Sequence, residues 1–103
     1  MFNINGIDWG IKLVSPNHPK LKRNNGSFAL GACDNITKLI YISEIVPEYK
    51  IKKVLCHEIT HSAMFSYGIN LTIDQEELLA DLIATYGEEI ILITNKIFQK
   101  IKG

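Results

Sequence analysis

The chain has 103 residues, and its 11 Lys and Arg balance 11 Asp and Glu, so the formal net charge is zero. That length is one small domain, and residues 1–103 read as a single unit. A hydrophobic share of 47% with 21% charged residues describes an ordinary globule. Without a basic surplus there is no case for general nucleic-acid binding, and no apolar run is long enough to span a membrane.

The first residues, Met1 to Gly6, lack a basic start followed by an apolar stretch, so no signal peptide is expected. Cys33 and Cys56 form no CxxC pair and no disulfide framework. A cytoplasmic protein with reduced thiols follows as the expectation. Each cysteine reads first as a small buried hydrophobe, with a metal ligand as the alternative.

Phe2 to Ile4 and Ile7 to Val14 alternate around Asn5-Gly6, which predicts a β-hairpin. Ser15 to Ser27 carries two prolines and Asn24-Asn25-Gly26, and reads as a surface loop. Two further strands are expected at Ser27–Cys33 and Lys38–Ser43. Leu39-Ile40-Tyr41-Ile42 is the most β-prone stretch in the chain.

Beyond Ser43 the period changes. Pro47 suits a helix start, with Ser43 or Glu44 as the expected cap. Ile51, Val54, Leu55, Ile59 and Met64 then recur at helical spacing up to Gly68. A second helix should begin near Thr72–Asp74, through a capping box of Thr72 with Gln75 or of Asp74 with Glu77. Gly87 is expected to break or kink it, leaving Glu88 to Ile101 as a third helix or a continuation. Ile90-Ile91-Leu92-Ile93 should fill the protein's own core, with packing against a partner as the alternative.

The first helix contains His57-Glu58-Ile59-Thr60-His61. Histidines four apart stack on one helix face and can share a metal ion, while the intervening glutamate can serve as a base. Catalytic zinc takes three protein ligands and keeps one open position. The three-histidine completion is excluded, because no histidine follows His61. His18 lies in the Pro-rich loop, so a carboxylate of the second helix is the better third ligand. Asp74, Glu76, Glu77 and Asp81 are the candidates. Glu77 and Asp81 are four apart and share a face, which suggests that Glu77 binds the metal and Asp81 holds a histidine from behind. Glu76 points about 100° away from Glu77. Its plainest reading is an exposed acid favoured by the helix dipole.

At these residues the chain resembles the H-E-x-x-H zinc peptidases, and more closely the small ImmA/IrrE-type metallopeptidases of phages and mobile elements. The resemblance spans about residues 27–91. It rests on Gly31-Ala32-Cys33-Asp34, Ile40-Tyr41-Ile42, His57-Glu58-x-x-His61 and Glu77-x-x-x-Asp81-x-x-Ala84. It implies an α+β, minimal zincin-like domain, with a small antiparallel or mixed N-terminal sheet on two or three C-terminal helices. It also implies Zn2+ on His57, His61 and Glu77, and Glu58 as general base for peptide-bond hydrolysis. The substrate would be a peptide or protein, with repressor-type transcription regulators as the class some relatives cleave. Related peptidases lay extended substrate along a strand edge, which Ser27–Cys33 or Lys38–Ser43 could supply. A second electrophile is usual, and the sequence does not choose among Tyr41, Tyr49, Tyr67 and Tyr86. The competing expectation is a zinc-binding structural or interaction module without turnover.

Overall fold

In the computed structural model, which describes residues 1–103, four strands precede two helices in an α+β arrangement. Strands β1 (Phe2–Ile4) and β2 (Ile7–Val14) form the expected hairpin. Asn5 and Gly6 sit at φ of 51° and 81°. A tight turn that matches strand twist needs both central residues in that left-handed region. β3 (Gly31–Asp34) and β4 (Leu39–Ser43) pair antiparallel, and β4 runs parallel to β2, so the sheet is mixed with order β1-β2-β4-β3. The third strand is shorter than Ser27–Cys33. Phe28 makes only an isolated bridge to Lys22, across the turn that follows the short 3-10 helix Pro19–Leu21.

β4 is apolar from Leu39 to Ile42 because both its faces are covered. Ile40 and Ile42 pack with Val46 against Val54, Leu55 and Ile59 of the first helix. Tyr41 points the other way, onto Val14 and Leu21. Such two-sided burial replaces alternation with a continuous apolar run. Trp9 is fully buried, and its indole N–H donates to Ser66 Oγ at 2.8 Å. The Asn5 amide donates to the Ser66 carbonyl at 3.0 Å. These two bonds tie the hairpin to the end of the first helix.

Helix α1 spans Glu48–Ser66. Its N-cap is Pro47, without any side-chain cap, so neither Ser43 nor Glu44 has the expected role. Glu48 in the first turn still complements the helix dipole. At the other end Gly68 takes φ of 64°, Ile69 N–H donates to the Met64 carbonyl at 2.9 Å, and Gly68 N–H to that of Phe65 at 3.2 Å. That is a Schellman stop, and it turns the chain back along α1.

Helix α2 runs unbroken over Ile73–Lys102. The Thr72–Gln75 capping box opens it, while Gly87 neither breaks nor ends it. A glycine inside a helix weakens it by about 1 kcal/mol, too little to stop propagation here. Only Ala80 of α2 is fully buried, and the small side chain lets α2 approach α1 closely. The isoleucine-rich stretch does not fill the core: Ile90, Ile91, Leu92 and Ile93 are all exposed. No helix is long and apolar enough to cross a membrane.

Candidate metal centre and its cleft

Consecutive turns of α1 present His57 and His61 on one side, with their Nε2 atoms 3.1 Å apart. The start of α2 crosses that side. Glu77 reaches both rings, with Oε2 3.2 Å from His57 Nε2 and Oε1 3.0 Å from His61 Nε2. The outer nitrogens are engaged as well. His57 Nδ1 lies 2.9 Å from Asp81 Oδ1, and His61 Nδ1 lies 2.6 Å from Glu76 Oε1. Each histidine thus has its own carboxylate behind it and shares Glu77 in front.

The donor set can be tested for a metal by its hydrogen-bond chemistry. An ionised carboxylate only accepts, so Asp81 and Glu76 fix the proton of each ring on Nδ1. Both Nε2 lone pairs then point inward, at each other and at the Glu77 carboxylate. Electron-rich atoms meeting in this way need a cation, or an extra proton, between them. The ligating atoms of His57, His61 and Glu77 all lie within 4.8 Å of one another. Two imidazoles and one carboxylate suit zinc and leave a coordination position free.

Glu58 is only 7% exposed and lies against β3. A Cβ on Gly31 would come within 3.0 Å of Glu58 Cγ, Glu58 Oε2 and Val54 Cγ1. Gly31 is therefore the recess that admits the Glu58 side chain. Burial pushes the Glu58 carboxyl up to about 7; His57 opposes the rise, the Glu77 charge adds to it, and Arg23 also opposes it. A carboxyl in that range can both take and return a proton near neutrality.

These groups line a cleft of about 530 Å3 with Arg23, Gly31, Ala32 and Cys33 on the opposite wall. β3 is an edge strand, whereas β4 is paired on both sides. Of the two strands considered for a substrate edge, only β3 has one free. Burial first, and then neighbouring acids including Glu58, push the Cys33 thiol up to about 12. A thiol held neutral is a poor metal ligand. None of the four tyrosines lines this cleft; Arg23 does. His18 lies elsewhere, its Nδ1 accepting from Lys20 N–H and its ring stacked on Tyr41 at 5.3 Å.

Sequence reasoning gave one candidate, Glu76, a different plainest reading and missed one residue, Arg23. Glu76 is not an exposed dipole acid but sits against His61. The angle of about 100° between neighbouring helix positions excludes a shared target only for short side chains. Here Glu76 and Glu77 straddle the helix contact beside Ala80, and both reach the histidines. Arg23 carried no local signal, because its loop is brought to the cleft by tertiary folding. Comparison with protein-family models, curated proteins and solved structures gave no match.

Proposed function

We propose that the protein is a zinc-dependent peptidase acting on an extended peptide laid beside β3. One observation carries this reading: His57 Nε2, His61 Nε2 and the Glu77 carboxylate converge in an open cleft that also holds the buried Glu58. A bound zinc ion would supply an acidified water and polarise the scissile carbonyl. Glu58 takes a proton from the attacking water and passes it to the leaving amine nitrogen. Asp81 and Glu76 hold the two imidazoles in one tautomer and orientation. Arg23 offers the cation for the developing negative charge on the carbonyl oxygen, a role the sequence did not assign to any residue. The free edge of β3 pairs with the substrate backbone, which favours extended or unfolded segments over folded ones. A repressor-type regulator is the substrate class implied by the resemblance. Unpaired Cys33 and Cys56 suit a reducing, cytoplasmic setting.

The test measures zinc content and cleavage of an unstructured peptide library by the wild type, Glu58→Gln and Arg23→Gln. The wild type should bind stoichiometric zinc and cleave. Glu58→Gln should keep the metal and lose about 10²–10⁴-fold in rate. Arg23→Gln should keep the metal and lose about 10- to 100-fold. Undiminished activity in Glu58→Gln would remove the general base. Tight zinc binding without any cleavage would leave the structural or interaction module.

A further inference from the structure

Helix α2 outlasts the helix it packs on. Near the start of α1 the two helices are joined by the exposed ion pair of Lys52 Nζ with Glu88 Oε2, at 2.9 Å. From Glu88 to Gly103 every residue is exposed. Yet this stretch carries Ile90, Ile91, Leu92, Ile93, Ile97, Phe98 and Ile101, all of them exposed. Isoleucine is β-branched and a mediocre helix former. A helical stretch this short is marginal in water unless an apolar face is packed.

The spacing says how it is packed. Ile83, Tyr86, Ile90, Ile93 and Ile97 follow each other by alternating steps of three and four, the seam of a two-helix coiled coil. The stretch from Ile83 to Ile101 is about 27 Å long. Glu89 and Lys96 occupy equivalent places on one flank, a heptad apart and of opposite sign. Lys100 takes the next seam position after Ile97.

We propose that this half of α2 pairs antiparallel with the same segment of a second copy of the chain. In that arrangement Ile90 packs on the partner's Ile93, and Tyr86 on the partner's Ile97. Flanking positions of the same kind face each other in antiparallel pairs, so Glu89 meets the partner's Lys96, and the two-fold axis repeats the contact. Lys100 falls at the end of the seam beside the partner's Ile83, where its ammonium reaches water. A parallel pair would instead set Lys100 against the partner's Lys100 in the seam and leave Glu89 without a cation. The charge pattern is therefore self-complementary in one orientation only. A lipid surface fits less well, because Glu89 lies on the flank that a basic membrane helix would keep positive. None of this depends on the peptidase reading.

The experiment is sedimentation velocity on the full chain: wild type, Glu89→Lys, Lys96→Glu, the double variant and an equimolar mixture of the single variants. The wild type should dimerise. Each single variant faces like charges twice and should dimerise at least about tenfold more weakly, which is 1.4 kcal/mol. The mixture should restore the dimer, because each variant supplies the charge the other lacks, and the double variant should restore it alone. Ile93→Asp should be monomeric, with circular dichroism checking that all variants fold. A wild type that stays monomeric up to about 0.1 mM would overturn the proposal. So would single variants as dimeric as the wild type, or a monomer that binds anionic phosphatidylserine vesicles through this face.

Discussion

The two halves of α2 are one continuous helix with opposite circumstances. The first half lies on α1, buries Ala80 completely, and sets Glu76, Glu77 and Asp81 against two histidines. The second half, from Glu88 on, has every residue exposed and one ion pair, Glu88 with Lys52, although it is richer in isoleucine. Hydrophobicity therefore does not locate the core here. The tight approach of α1 and α2 needs a small residue, and it brings the carboxylates beside Ala80 within reach of the histidines. Large apolar side chains occur in both halves, and in the second half all of them are exposed.

Substitutions can break or sharpen that contrast. The largest effect belongs to His61→Ala, which removes one of three metal donors from the packed half. Zinc measured by atomic absorption should fall to background, and peptide cleavage should drop with it by at least about 10³-fold. Ile97→Glu in the exposed half should leave both unchanged. If His61→Ala kept its zinc, the metal would have to sit elsewhere.

Next come the carboxylates behind the histidines. Glu76→Gln and Asp81→Asn should each weaken zinc binding about 10- to 100-fold in a chelator competition, because an amide orients the ring less firmly than a carboxylate. Glu76 is the more enclosed of the two, with a side chain 22% exposed against 67% for Asp81. It should show the larger loss. Equal, negligible effects would reduce both to surface acids.

A third effect concerns stability of the metal-free protein. The Glu58 carboxyl is raised to about 7 from its ordinary value. Its neutral form therefore favours folding, and that contribution is complete below the unfolded value near 4.3 and lost as pH rises through about 7. Glu58→Gln mimics the neutral form. It should raise the melting temperature at pH 8 by the equivalent of about 2 kcal/mol and change it little at pH 4. The same gain at both pH values would show that burial of the charge is not the cause.

The smallest effect lies far from α2. Asp34 accepts hydrogen bonds from Lys20 Nζ, Ile36 N–H and Thr37 Oγ1, and these hold its carboxyl down at about 2. A lowered value stabilises above the unfolded pKa near 3.9 and is lost as pH falls through about 2. The Lys20 pair is solvated, so Asp34→Asn should cost no more than about 1 kcal/mol in urea denaturation at pH 7. The cost should vanish near pH 2.

Much of the fold was legible because local signals agreed. Asn5-Gly6 placed the hairpin turn, Gly68 stopped α1, and Thr72 with Gln75 opened α2. Local signals misled where a neighbour overrode them. Gly87 was tolerated because a helix already growing adds residues at little cost. The Ile90–Ile93 stretch gave no sign that it would stay exposed.

By itself the sequence determined that His57 and His61 share a helix face with Glu58 between them, because helix geometry links residues four apart wherever the helix lies. It also determined that Glu77 and Asp81 lie one turn apart. Only the tertiary structure decided that these two faces meet, that Glu76 joins them across the Ala80 contact, and that Gly31 of β3 receives Glu58. Spacing along one element is set by backbone geometry, whereas contact between elements depends on which side chains are small enough to let two backbones approach.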